Sequence, residues 1–139
     1  MTSTPLGTSF GYCIFYVNDV AATIDFFTTA FGFEQRFVTP ENDYGELETG
    51  ATTLAFASIE LASANLAGAG GFVLPDERQP APASITLLTS DVEATTAAAI
   101  AAGARPYVDL IDKPWGQTVG YVLGPSSLLI EIATPMVAP

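Results

Sequence analysis

The 139-residue chain has no histidine, a single cysteine, and four basic residues against 15 acidic ones. Histidine is the commonest metal ligand and the commonest acid–base residue at neutral pH, so its absence leaves carboxylates, tyrosine and one thiol for any chemistry. A lone cysteine excludes an internal disulfide and most thiolate metal sites, and the place of Cys13 in a predicted strand favours a packed core thiol. The formal net charge of −11 disfavours nucleic-acid binding, which requires a basic surface.

The sequence also lacks long apolar runs and any evident targeting segment. None of its apolar runs approaches the ~20 residues that a membrane span needs. The first ten residues carry no positive charge and no apolar core before a cleavage site, so we do not expect a secretory signal. We therefore expect a cytoplasmic protein with no membrane contact. Its acidic charge is consistent with solubility alone or with the attraction of cationic ligands.

A strand, a turn, a helix and a glycine stop follow one another between residues 12 and 34. The β-branched and aromatic residues of 12–17 predict a strand, and Asp19 offers a side chain that can cap the first turn of a helix. Spacings of four, three and four then place four apolar residues on one helix face, and Gly32 supplies a left-handed cap. The four residues are Val20, Ile24, Phe27 and Phe31.

The same order of features returns 72 residues later, which indicates an internal duplication. Asp91 falls where Asp19 did, the apolar stripe of the second helix closes at Ile100, and Gly103 ends that helix. The tails of the two copies are matched by Tyr44-Gly45 and Trp115-Gly116. Two copies are too few for a solenoid, so we predict two βαβββ modules packed side by side in one domain.

The predicted organisation is a module at about 9–58, a linker at about 59–83 and a second module at about 84–134. Glycine and proline punctuate the linker, although Phe72, Val73 and Leu74 within it predict some packing, across a dimer interface or over a cavity. The remaining predicted elements are strands at 35–38, 44–49, 52–58, 84–89, 106–110, 118–123 and 128–133, and a helix at 92–102. About half of the residues are apolar, which is enough for one core.

Two stretches carry a resemblance to a known family: YVNDVAATIDFFTTAFGFE near the start and KPWGQTVGYVLGPSSLLIEIATP near the end. They resemble the vicinal oxygen chelate superfamily, which includes glyoxalase I, extradiol dioxygenases, fosfomycin-resistance enzymes and bleomycin-resistance binding proteins. The resemblance implies an α+β fold of two tandem βαβββ modules. Their eight strands would form a curved, cup-shaped mixed sheet with the helices outside, and the chain would form a homodimer.

The resemblance also implies where a metal would be held in the enzymes of the superfamily. Counted from the two turn aspartates and the last strand, the four ligand positions fall at Tyr12, at Ala55 or Ala57, at Ser84 or Ile85, and at Glu131. Only Glu131 is a residue type that commonly binds a divalent metal, and one carboxylate does not complete a zinc or magnesium site. We therefore expect no metal and no cofactor.

Strand alternation predicts which side chains enter the cup. If Tyr12 points into the cup, Phe10, Ile14 and Tyr16 point the same way. Tyr121 and Glu131 would point into it from the second module, and Trp115 would lie on a loop at the rim. The predicted ligand contacts are Phe10, Tyr12, Tyr16, Trp115, Tyr121 and Glu131. Other interpretations remain open. The two early tyrosines could be core residues. Glu131 could pair with Arg36 or Arg105 or be exposed at a strand edge, and Trp115 could plug the mouth or pack in a dimer contact.

An aromatic cavity with one carboxylate suits a cationic guest, through ion pairing and cation–π attraction. The first hypothesis is a metal-free protein that binds a partly aromatic, cationic small molecule, and resemblance to bleomycin-resistance proteins implies a role in antibiotic resistance. The alternative is a glyoxalase- or dioxygenase-type enzyme with Glu131 as its candidate catalytic residue. A third hypothesis is a protein-interaction domain whose cup is filled by its own side chains.

Overall fold

The computed structural model of the chain describes residues 5–136, which fall into two compact units. The first unit takes the described residues up to Thr28 and then Gly32–Val73, and the second takes Thr29–Phe31 and the described residues from Leu74 onward. The division after Val73 falls within the predicted linker. Over the described residues the α+β class is confirmed, with eight strands in two four-stranded mixed sheets and three α-helices.

The elements follow the predicted order closely. The first half contains β1 (Tyr12–Val17), α1 (Val20–Phe31), β2 (Glu34–Val38), β3 (Tyr44–Glu48), β4 (Thr53–Ser58) and α2 (Ile59–Asn65). The second half contains β5 (Ile85–Leu88), α3 (Val92–Ala101), β6 (Arg105–Asp112), β7 (Thr118–Leu123) and β8 (Leu129–Ala133), with a 3-10 turn at Pro125–Ser127. No helix in the described part of the chain has the length and apolarity that crossing a membrane requires.

The sheet of the first unit has the strand order β1-β4-β3-β2, with β1 parallel to β4 and the other pairs antiparallel. One of its faces is the core. Val17, Leu47 and Phe56 are fully buried there, and the Phe56 ring stacks on Phe27 of α1 with a centroid distance of 5.3 Å. The opposite face carries Tyr12 and the other residues that alternate with this core, and it positions the polar groups described below.

Two side chains satisfy the N-terminal turn of α1, where backbone N–H groups have no helical partner. Asp19 Oδ1 accepts from the Ala22 N–H at 3.0 Å, as predicted, and Asn42 Oδ1 accepts from the Ala21 N–H at 2.7 Å. The pKa of Asp19 lies below its ordinary value, chiefly because of the Ala22 hydrogen bond and then that from Asn42. Gly32 ends the helix at φ 77°, also as predicted.

We expect Asp19→Ala to lower the free energy of unfolding by about 1 kcal/mol at neutral pH, because it removes this cap. A depressed folded-state pKa stabilises the fold above the ordinary aspartate range, and that contribution is lost as the pH falls through the folded pKa. Urea titrations at neutral and acidic pH measure both effects. Asp25→Ala, at an exposed position inside α1, is the control. An equal loss in both variants, or one independent of pH, would contradict the capping role.

The second unit repeats this architecture with the strand order β5-β8-β7-β6. Asp91 Oδ1 accepts from the Ala94 N–H at 3.0 Å, so the predicted second cap is present. After α3 the chain turns at Gly103, φ 112°, while the Ala104 N–H donates to the Ala99 carbonyl across the helix end. Ile100 was predicted to close the core stripe but is 40% exposed; the fully buried residue near the end of α3 is Ala99.

The strand registers of the two sheets allow the two copies of the duplication to be aligned residue by residue. Each sheet has a β-bulge in its edge strand, between Gln35 and Phe37 in β2 and between Pro106 and Val108 in β6, and β6 has a second irregularity between Val108 and Ile111. A glycine faces each bulge. A Cβ built on Gly45 would lie 3.2 Å from the Phe37 carbonyl oxygen, and one on Gly120 would lie 3.1 Å from that of Val108. The counterpart of Gly45 is therefore Gly120.

The predicted match of Tyr44-Gly45 to Trp115-Gly116 is accordingly wrong. The reason is a longer hairpin, because β6 has eight residues where β2 has five, and the loop that follows β6 carries Trp115. The Trp115-Gly116 pair resembles Tyr44-Gly45 in sequence, but it lies in the loop and not in a strand. The true counterpart of Tyr44 in the ladder is Val119.

Two further expectations are corrected. The predicted linker begins with α2, because the Ser58 side chain caps the Leu61 N–H at 3.0 Å and the residues that follow favour a helix. Cys13 is exposed and not a core thiol. On its side of β1, burial rises from exposed Cys13 to fully buried Val17, and β1 is an edge strand, so the start of the strand is not covered.

Candidate functional site

A carboxylate held by two hydroxyl groups lies on one face of the second sheet. Glu131 of β8 accepts from Thr86 of β5 at 2.8 Å through Oε1 and from Tyr121 of β7 at 2.5 Å through Oε2. The ladder puts these three side chains side by side, since Glu131 is the register partner of both Thr86 and Tyr121. Tyr121 and Glu131 therefore share one face, as predicted, and their hydrogen bond and the contribution of Thr86 are additions.

Glu131 has no cationic partner in the described residues. All four basic side chains lie among them, and none approaches Glu131 within ion-pair distance. The alternatives that paired Glu131 with Arg36 or Arg105 are wrong. Arg36 is engaged by two other glutamates, and Arg105 donates to Ser127 Oγ at 3.2 Å. The carboxylate is half-buried, oriented by neutral donors and left without charge compensation.

The hydrogen bond to Glu131, and then burial, raises the pKa of Tyr121 above its ordinary value. The neutral phenol is the form that donates to the carboxylate, so ionisation would break the bond and place two negative charges together. A raised folded-state pKa stabilises the fold below the ordinary tyrosine pKa of about 10, and this stabilisation is lost as the pH rises through the folded value.

We expect Glu131→Gln to lower the pKa of Tyr121 toward its ordinary value, because the substitution removes the charge that opposes ionisation. The ultraviolet absorbance of tyrosinate, followed through an alkaline titration, measures the change. Tyr121→Phe identifies the transition, since it deletes one high-pH step from the wild-type curve. An unchanged titration in Glu131→Gln would show that the hydrogen bond does not control this phenol.

The first sheet carries a second glutamate–tyrosine pair, but there a cation completes it. Buried Glu46 accepts from Tyr44 Oη at 2.7 Å and from Arg36 Nη1 at 2.9 Å. The same Arg36 nitrogen donates to Thr53 Oγ1 at 3.0 Å, and its Nε donates to Glu48 at 2.6 Å. Hydrogen bonds to Glu46 and then Glu48 raise the pKa of Arg36, while burial and then the bond to Glu46 raise that of Tyr44.

The other predicted ligand contacts are exposed aromatic side chains. In the first unit, Phe10 precedes β1, Tyr12 is 56% exposed, and Tyr16 packs on Phe72 of the linker at 4.9 Å between ring centroids. The predicted packing of the linker therefore holds for Phe72, while Val73 is 95% exposed. In the second unit, Trp115 donates its indole N–H to Gln117 at 2.8 Å. Their role as ligand contacts stays a prediction.

Comparison with known proteins agrees with this architecture. Residues 9–132 match the family model of the Glyoxalase/Bleomycin resistance protein/Dioxygenase superfamily. The chain belongs to this superfamily. It is the vicinal oxygen chelate superfamily, so the resemblance drawn from the sequence is confirmed. No curated protein sequence matches the chain.

Solved structures of the superfamily share the fold at low sequence identity. A glyoxalase-related enzyme from Fulvimarina pelagi is 18% identical, with a TM-score of 0.77 over 92% of this chain and 88% of that one. A glyoxalase/bleomycin resistance protein/dioxygenase family enzyme from Burkholderia phytofirmans is 20% identical, with 0.75 over 91% and 98%. A lactoylglutathione lyase from Agrobacterium tumefaciens is 17% identical, with 0.66 over 91% and 93%. At such identities the likeness establishes the fold alone.

The side chains at the superfamily's metal positions do not fit a metal. Glu131 is bonded to two hydroxyl groups, and its counterpart in the first sheet, by ladder position, is Ala55, opposite Ile14 and Glu46. The described part of the chain has no group of three or more histidine, cysteine, aspartate or glutamate side chains that could hold a metal ion. A hard cation takes about six oxygen ligands, so this donor set is too small.

Sequence analysis missed Thr86 and the cluster around Arg36. Alternation would have found Thr86, because it lies two residues after Ser84 and thus on the same strand face. The same rule applies to Tyr44, Glu46 and Glu48, which alternate along β3 and point to one side. The pairing of Arg36 with them has no local signal, since a β-bulge sets its position.

Proposed function

We propose that this superfamily member is a metal-independent binding protein for a cationic, partly aromatic small molecule, and that Glu131 is the anchor for the cation. The observation that carries the proposal is the half-buried carboxylate that two neutral donors orient and no basic side chain neutralises. An ion pair at such a place is stronger than one in open water, because the carboxylate is partly desolvated and already ordered.

Two other features support a cationic ligand. The formal net charge of −11 raises the local concentration of cations around the chain. Tyr121 and exposed Trp115 offer aromatic surface in the same unit as Glu131. The face of an aromatic ring attracts a cation and also stacks on another aromatic ring. We extend the proposal to a cytoplasmic homodimer with a role in antibiotic resistance, as similarity to bleomycin-resistance proteins implies.

We expect members of a panel of cationic aromatic drugs to raise the melting temperature of the wild-type protein, with or without EDTA. A ligand at a hundred times its Kd stabilises a protein by about 2.7 kcal/mol, which is a shift of several degrees in a domain of this size. Glu131→Gln should abolish the shift. The matched control is Glu93→Gln, which removes the same charge from an exposed position in α3 of the same unit.

Native mass spectrometry of the protein as purified measures its oligomeric state, bound metal and retained ligand together. A dimer mass with unchanged binding in EDTA supports the proposal. A panel without any stabilising compound, or equal shifts in Glu131→Gln and Glu93→Gln, would overturn it. Survival of cells that express each variant, challenged with a stabilising drug, tests the resistance role.

The competing function is a glyoxalase- or dioxygenase-type enzyme in which Glu131 acts as a base. The hydrogen bond from Tyr121 favours it, because it orients the carboxylate and holds a phenol, a proton donor, beside it. Stoichiometric metal in the purified protein, lost together with turnover in Glu131→Ala, would establish this function in place of binding.

A further inference from the structure

The three groups at Glu131 present hydrogen-bond acceptors and no free donor. An ionised carboxylate has only acceptor positions, about four in all, and its two bonds to Thr86 and Tyr121 use two of them. Each hydroxyl has one O–H, and each uses it to donate a hydrogen bond to Glu131. The Thr86 and Tyr121 oxygens therefore keep lone pairs that can accept beside those of the carboxylate. A ligand that satisfies this surface must bring several N–H or O–H donors as well as positive charge.

The first sheet of the same chain contains a cation that meets such a surface. The Arg36 guanidinium donates to the carboxylates of Glu46 and Glu48 and to the Thr53 hydroxyl oxygen. The Tyr44 hydroxyl donates a hydrogen bond to Glu46. The group types are those found around Glu131, a glutamate, a tyrosine that donates to it and a threonine, although they occupy different ladder positions. They stand on neighbouring strands of a sheet with the same strand order and the same bulge.

The second module has no cation at the bulge of its edge strand. Arg36 occupies the bulge of β2, and the residue in the corresponding bulge of β6 is Tyr107. A phenol is never cationic, so Tyr107 cannot take the place of the guanidinium. The bulge of the second module therefore brings no guanidinium to Glu131, and Arg105, the arginine of this module, donates to Ser127 Oγ instead.

We propose that the ligand cation recognised at Glu131 is planar and rich in N–H donors, an amidinium or guanidinium, and not a quaternary ammonium. This inference rests on the proposed function and specifies its ligand class. A forked cation can donate to both oxygens of one carboxylate, and its other N–H groups can reach the Thr86 and Tyr121 oxygens. A quaternary ammonium has no N–H, so it would leave these acceptors unsatisfied and desolvated.

The test compares four probes that share one aromatic ring: benzamidine, benzylamine, benzyltrimethylammonium and benzyl alcohol. Their binding to the full chain is measured by calorimetry or ligand-observed NMR. We expect benzamidine to bind roughly tenfold or more tightly than benzyltrimethylammonium, with benzylamine between them and benzyl alcohol weakest. Circular dichroism melting verifies that every variant is folded.

Two variants separate charge from acceptor count. Glu131→Gln should weaken benzamidine binding by roughly tenfold or more, while Glu93→Gln leaves it unchanged. Thr86→Val keeps the carboxylate, removes the Thr86 oxygen and leaves the freed lone pair of Glu131 Oε1 without the hydroxyl that orients it, so it should weaken benzamidine several-fold and leave benzyltrimethylammonium unaffected.

Equal affinity for benzamidine and benzyltrimethylammonium, with both lost in Glu131→Gln, would overturn the inference and leave the proposed function standing. Failure of every cation to bind better than benzyl alcohol would overturn both. A Thr86→Val protein that binds benzamidine as tightly as the wild type would overturn the acceptor-count argument.

Discussion

Phe27→Ala is expected to lower the free energy of unfolding by about 3–5 kcal/mol, the largest effect of any single substitution considered for this chain. Phe27 is fully buried; its ring stacks on Phe56 at 5.3 Å and meets Phe26 edge-on at 5.3 Å. Truncation removes this burial and leaves a cavity that the sheet backbone cannot fill, because the β-ladder fixes Phe56 in place. Urea unfolding followed by circular dichroism measures the change.

The control for Phe27→Ala is Phe10→Ala, since Phe10 is 63% exposed and precedes β1. It is expected to alter the free energy of unfolding by no more than about 0.5 kcal/mol. Phe27→Leu, which keeps most of the volume, should fall between the two. Similar losses at Phe27 and Phe10 would mean that the α1 face is not the main core of the first unit.

Gly120→Ala is expected to destabilise the second unit by about 1–3 kcal/mol, although the change adds only one methyl group. The new Cβ would lie 2.9 Å from Leu110 Cδ2, 3.1 Å from the Val108 carbonyl oxygen and 3.2 Å from the Leu110 amide nitrogen. Two of these atoms belong to the backbone of β6 and cannot rotate away. The strand pair must therefore open at the bulge, which shows as a lower melting temperature.

Two other glycines calibrate this prediction. Gly45→Ala meets side-chain atoms of Val20 and Val38 as well as the Phe37 carbonyl, all at 3.1–3.2 Å, so a smaller loss is expected there. Gly11→Ala meets nothing within 4 Å and should have little effect. A Gly120→Ala protein as stable as Gly11→Ala would contradict the assigned contact between β6 and β7.

The two glutamate–tyrosine pairs show how the copies have diverged on a common frame. In the first sheet the carboxylate is on β3, at Glu46, and Arg36 neutralises it. In the second sheet the carboxylate is on β8, at Glu131, and the residue opposite it on β7 is the tyrosine. A buried charge is costly unless it is paired, and Arg36 pairs with Glu46, whereas the half-buried Glu131 has no cationic partner in the described residues.

Much of the fold could be predicted from the sequence because its signals are local. Asp19 and Asp91 cap their helices as predicted, and Gly32 ends α1 in the left-handed conformation that glycine favours. Every predicted strand is present within a few residues, since strand patterns depend on neighbours along the chain. The superfamily motifs in both halves were sufficient to predict the βαβββ repeat.

The candidate site is different, because register decided it. Glu131 and Tyr121 could be predicted to share a face, because the superfamily resemblance made Glu131 an inward position and alternation then sorted the residues of each strand. That Thr86 is the third member and Arg36 is not depends on which strands pair and where a β-bulge shifts them. The same holds for the counterpart of Gly45, which is Gly120 and not Gly116, and for Cys13, exposed at the uncovered start of an edge strand.

The sequence by itself determined the elements and their order, through capping, alternation and glycine conformation. Only the tertiary structure decided which carboxylate has a cation, because pairing between strands brings together residues that no local pattern connects.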